Sequence, residues 1–182
     1  MSATSLPRLG LRMRRRTFRM ITTSTINNKL VRHDVNGKVF EVEFKLNPSA
    51  EDGDITTVEK ELGILLPSSF KEFLEFCDGA EIYNYKGIDG FKIFSTSEIL
   101  LENKRLADEY QQDWLSDIIV FSECLGEGNY LAFKAQLSQK GYSIIDCFHE
   151  VNPIEWNVME ENFDIFLDKL IKNEGNKYWL LE

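Results

Sequence analysis

The chain of 182 residues reads as a single α+β domain. Three observations predict it. An Asn-Gly turn signal separates two short runs of strand character. Apolar residues near 70–77 and 163–170 recur at helical spacing. Strand and helix signals mix without a regular βαβ alternation. The expected architecture is a mainly antiparallel or mixed sheet of about five to six strands, packed with three to four helices. With 43% hydrophobic and 28% charged residues, a chain of this size buries a core without a metal or disulfide staple. No run of about 18 apolar residues exists, so no transmembrane helix is expected.

Residues 1–19 carry six arginines and no acid, from Arg8 to Arg19. Their Arg-rich, Ser/Thr-containing character fits a transit peptide or a basic arm, but no apolar stretch follows that would make a secretory signal. The preferred expectation is a disordered leader or a misassigned start. Arg14-Arg15-Arg16 ahead of Met20 is what a purine-rich ribosome-binding site spells when translated. The domain then spans 20–182.

Along that domain, Asn36-Gly37 lies between 30–33 and 39–44, where Phe40, Val42 and Phe44 alternate with Glu41 and Glu43. This predicts a hairpin with a two-residue type I′ turn, one face buried and one wet. Thr56-Thr57-Val58-Glu59 has the form of a capping box opening a helix that Gly63 closes. Pro67 begins the next helix, with Phe70, Phe73, Leu74 and Cys77 on one side and Asp78-Gly79 at its end. Residues 81–85 and 91–94 read as strands around a Gly87/Gly90 loop. A third helix follows over 97–111, with Ile99, Asn103, Leu106 and Tyr110 on one side. Strands at 118–122, 130–135 and 143–148 come next, the first two joined by Gly126-Glu127-Gly128-Asn129. Asn157 with Glu160 is expected to cap the last helix, whose stripe is Phe163, Phe166, Leu167 and Leu170.

In this order the motifs resemble the SMI1/KNR4 family, also called the SUKH superfamily. The opening signature is Ile55, Glu59, Leu62-Gly63, Leu66-Pro67, Phe70, Phe73-Leu74 and Gly79. Gly90-Phe91, the strand at 118–121 and Asn162-Phe163-Asp164-Ile165-Phe166-Leu167 follow in place, so that the likeness covers about 54–172. Two departures stand out. The usual Gly-Gly turn is Gly126-Glu127-Gly128 here, and the hairpin at 30–44 precedes the usual domain start, as an added edge or a local variation. The resemblance implies the SMI1/KNR4-like fold and a binding role without catalytic residues. Bacterial members are immunity proteins that neutralise polymorphic toxins, often nucleases. Fungal members are regulatory scaffolds in cell-wall signalling. The expected partner is a cognate toxin protein in the cytoplasm.

Charge agrees with such a partner. Beyond residue 19 stand 15 basic against 30 acidic residues, a net charge of −15, which repels nucleic acid and anionic membranes and attracts basic proteins. The oligomeric state is not readable from one sequence. No cofactor, metal or catalytic residue is expected. The three cysteines, Cys77, Cys124 and Cys147, lack paired metal-ligand spacing and read as reduced thiols. Cys147 and His149 share one face of a strand, as a thiol–imidazole pair would, but a buried Cys beside a surface His is the commoner arrangement. Asp146 with Glu150 reads as solvated carboxylates more readily than as a cation site. Partner contact is expected where aromatics meet acids in connections, at Tyr83, Tyr85, Asp89, Asp113, Trp114, Asp117, Glu127 and Trp156. A tryptophan equally often plugs a core. The tail Tyr178-Trp179-Leu180-Leu181 is expected to dock.

Overall fold

The computed structural model describes residues 28–34, 36–136 and 141–180, so the reading of residues 1–19 lies outside the described residues. Eight strands form one antiparallel sheet in chain order, β1 (Lys29–His33), β2 (Val39–Leu46), β3 (Ala80–Asn84), β4 (Phe91–Ile93), β5 (Ile118–Cys124), β6 (Asn129–Gln136), β7 (Gly141–Cys147) and β8 (Asn157–Glu160). The helices are α1 (Asp54–Leu62), α2 (Ser68–Phe76), α3 (Thr96–Tyr110) and α4 (Phe163–Lys172). The α+β class stands; among the described residues there are four helices, within the expected three to four, and the expected five to six strands become eight.

The additional strands have identifiable origins. The hairpin at the start is an added edge, because β2 pairs with β3 and contributes both its strands to the sheet. Its connection is five residues long, not two. Asp34 organises it by accepting from the Asn36 and Lys38 amides at 2.9 and 2.8 Å, while Gly37 takes the left-handed φ of 78°. The eighth strand is the segment read as a helix cap. Asn157 and Val158 pair with Asp146 and Ile145 of β7, and Asn162 caps α4 instead, accepting from the Ile165 amide at 3.0 Å.

At the first helix, too, the cap differs from expectation. α1 begins at Asp54 behind Gly53, and Glu59 accepts from the Leu66 amide at 2.9 Å and from Lys71 at 3.0 Å. Its carboxylate therefore ties α1 to α2. Gly63 closes α1 as the sequence predicts, at φ 70°.

The core has two layers of contact with the sheet. Phe70 of α2 and Phe163 of α4 meet Phe121 and Phe133 on one face, with ring centroids 5.0 to 6.0 Å apart across the layers. Tyr130, three residues before Phe133 on β6, points to the other face and meets Arg105 of α3. With both faces covered, β5 is buried without alternation over 118–122.

Where β5 bulges between Val120 and Ser122, its ladder breaks. Buried Asn103 of α3 repairs the break, as its amide donates to the Val120 carbonyl and its oxygen accepts from the Val120 amide, both at 2.8 Å. Asn103→Leu leaves both groups unpaired in the core and should lower stability by roughly 3 kcal/mol. Urea unfolding of the variant checks this, and a loss below about 1 kcal/mol would mean that water reaches the bulge.

Candidate partner-binding surface

An antiparallel sheet in chain order places alternate connections at the same end. Here the connections β3–β4, β5–β6 and β7–β8 gather at one end, and residues 173–180 cross over them. Two of the connections touch at the backbone. A side chain at Gly126 would meet the Ile88 carbonyl oxygen at 2.5 Å, so only glycine lets the β5–β6 turn lie against the β3–β4 loop.

The crossing segment is held mainly by carboxylates. Glu174 accepts from the His33 amide at 2.9 Å, Lys177 pairs with Glu127, Tyr178 donates to Glu160 at 3.1 Å, and the Trp179 indole donates to Asp146 Oδ2 at 2.9 Å. Tyr178 and Trp179 therefore dock as expected, Leu180 remains exposed, and Leu181 lies outside the described residues. Between this segment and β7–β8 runs a groove of about 700 Å³, lined among others by Glu127, Asp146, Phe148, Trp156, Val158 and Trp179. Apolar side chains stand out around it, with Phe148 39%, Val158 62%, Leu180 63% and the neighbouring Ile154 79% exposed. An apolar rim beside polar groups is the composition of a protein-binding surface.

The eight residues expected at a partner interface divide into distinct environments. Tyr85, Asp89 and Glu127 come together at the loop end, with Tyr85 against Phe40 at 5.0 Å. Asp89 and Glu127 already hold cations there, Arg32 at 2.8 Å and Lys177 respectively. Tyr83 is buried beneath them, its ring 4.7 Å from that of Phe44, and burial pushes its phenol up to about 12. Trp156 is also buried, donating to the Phe148 carbonyl at 3.1 Å, though its edge lines the groove. Tyr83 and Trp156 thus support the surface more than they form it. Half-buried Trp114 joins Trp156 through Tyr110, with exposed Asp113 beside it. Asp117 stands apart, where its carbonyl accepts from Ala135 at the opposite end of β5.

Cys147 and His149 do not assemble as a nucleophile pair. The His149 ring lies 2.7 Å from Asn129 Oδ1, and burial drives the Cys147 thiol well above its ordinary value. All three cysteines are free and buried. Among the described residues no group of three His, Cys, Asp or Glu side chains is placed to hold a metal. No helix among them is long and apolar enough to cross a membrane.

Sequence reasoning missed the groove itself, and with it Phe148, Val158 and Lys177. Each looks ordinary in its own segment, and only the crossing of 173–180 over the sheet end brings them together. Asp146 and Trp179 were visible singly, as a carboxylate and a docking aromatic, without a signal that they bond.

Comparison with known proteins finds a match to the family described as SMI1 / KNR4 family (SUKH-1) over residues 49–169. Two relatives come from Bacillus subtilis (strain 168). Uncharacterized protein YnaB is 26% identical over 137 residues, covering 75% of this chain and 86% of that protein. Uncharacterized protein YobM is 27% identical over 135 residues, covering 69% and 68% respectively.

Burial raises the Asp146 carboxyl above its ordinary 3.8, with the Trp179 indole and Lys177 working against the rise. A carboxyl whose pKa is raised by folding contributes most when protonated, and that contribution is lost as pH climbs through the folded value. Asp146→Asn should therefore melt higher than the parent at pH 7, with the gap closing as pH approaches 3.8. Thermal melts across that range measure it, and a gap independent of pH would overturn the assignment.

Proposed function

The chain belongs to the SMI1/KNR4 family (SUKH-1), and from that premise we propose that it is an immunity protein, binding and neutralising a basic toxin domain of nuclease type in the cytoplasm. The family match is the observation that carries the reading. The two relatives named above are bacterial, which favours the immunity role of bacterial members over the scaffold role of fungal ones.

The physical chemistry fits that role. A nuclease domain must be basic where it holds nucleic acid, and residues 20–182 carry a net charge of −15. Opposed fields steer the encounter, while affinity rests on a few desolvated apolar contacts. The proposed contacts are Tyr85, Asp89 and Glu127 at the loop end, Asp113 and Trp114 near the groove through Tyr110 and Trp156, Asp117 at the opposite end of β5, and the exposed Phe148, Ile154, Val158 and Leu180. Asp89 and Glu127 add less charge than their number implies, since each already pairs with a cation of this chain.

Co-expression with the C-terminal domain of the toxin encoded next to this gene is the direct test. Cells should survive, and in vitro the association rate should fall steeply as salt rises toward 0.15 M, where the Debye length is about 8 Å. Death of cells that contain folded protein would overturn the immunity reading and leave a scaffold role of the fungal kind. Association indifferent to salt would overturn the electrostatic part alone.

A further inference from the structure

One carboxylate in the groove is incompletely used. Asp146 Oδ2 accepts from the Trp179 indole at 2.9 Å, but Asp146 Oδ1 is buried with no hydrogen-bond partner. A carboxylate has about four acceptor positions, so a single neutral N–H leaves most of its capacity unspent. The neighbouring carboxylates have cations, Lys177 on Glu127 and Lys169 on Glu160 at 2.8 Å. Both groove lysines are thereby engaged, and no ion pair reaches Asp146 among the described residues. Glu155 stands exposed at the rim and adds negative potential at the entrance.

We propose that Asp146 is the receptor for one arginine side chain of the basic partner, admitted as the Trp179 indole turns away from the carboxylate. This rests on the proposed function, which supplies a basic protein as the occupant. A guanidinium fits because its two parallel N–H groups engage both carboxylate oxygens, replacing one neutral donor by two charged ones. A lysine ammonium is a point charge without that fork. Trp179 is half-buried in a three-residue turn, and its ring edges toward Phe91 and Phe166 at centroid distances of 6.1 and 6.2 Å. Turned outward, its face remains beside the guanidinium to stack on it. Phe148 and Val158 at the rim receive the apolar neighbours of that arginine.

The test uses the full chain and the peptide acetyl-Gly-Leu-Arg-Leu-Gly-amide, with the same peptide carrying citrulline in place of arginine as its neutral counterpart. The three indole N–H resonances are followed by NMR, assigned with Trp114→Phe, Trp156→Phe and Trp179→Phe. The arginine peptide should shift the Trp179 resonance saturably, and the citrulline peptide should bind about tenfold or more weakly. Asp146→Asn keeps an acceptor for the indole and should reduce arginine binding to the citrulline level without a fall in melting temperature. Equal binding of the two peptides, arginine binding that survives Asp146→Asn, or a Trp179 resonance that does not move would each overturn the proposal. Failure here beside survival of toxin-producing cells strikes the arginine receptor alone. Success here beside death of those cells strikes the immunity reading and leaves the receptor in place.

Discussion

The fold turns on the packing of Phe70 against Phe121, Phe133 and Phe163. These four rings come from α2, two central strands and α4, so their burial fixes elements nearly a hundred residues apart in one arrangement. Each fully buried ring contributes on the order of 2–3 kcal/mol from apolar area alone, before the preference of aromatic edges for faces is added. Once α2 and α4 occupy one face of β5 and β6, α3 takes the other. Its polar Asn103 then satisfies the bulge at Val120. The local break in the ladder and the buried amide on α3 are two halves of the same solution.

Much of this was readable because the signals are periodic and local. Phe163, Phe166, Leu167 and Leu170 mark α4 by spacing, and each lies in the core. Gly63 closes its helix for the steric reason that predicts it. The failures lie where one local pattern serves two structures. Asn157 with Glu160 satisfies a capping rule and equally an edge strand, and pairing with β7 decides between them. Asn36-Gly37 signals a turn but not its length, because Asp34 recruits the amides at 36 and 38. The surface was harder. Tyr83 and Trp156 have the composition of contact residues, yet Phe44 and Gly175 cover the first while Tyr110 covers the second. Those neighbours lie tens of residues away, beyond any window of local pattern.

At the loop end, polar and apolar groups divide the labour. Glu127, Glu160 and Glu174 are spent on holding residues 174–178 to the sheet, and Asp89 on pairing with Nη1 of the buried Arg32 guanidinium. A buried guanidinium without such a partner would carry a penalty of several kcal/mol, so Asp89 is bound to its structural task. These acids contribute to the long-range field while remaining poorly free to form new short contacts. In the proposed complex, steering and affinity would therefore fall on different residues of the same surface.

That division bears on how the proposed surface would change its partner without losing its fold. Ile154, Val158 and Leu180 are more than 60% exposed, and their truncation removes little from the core. Substitutions at these positions alter shape and apolar contact at the groove rim at small cost in stability. Beneath them Trp156 and Tyr83 are buried, and Gly126 admits no side chain, so the platform resists the same kind of change. On the proposed function, a base of buried residues carrying replaceable apolar groups keeps the preorganisation on which tight binding depends, while the identity of the bound protein would be set by the few residues that the core does not need.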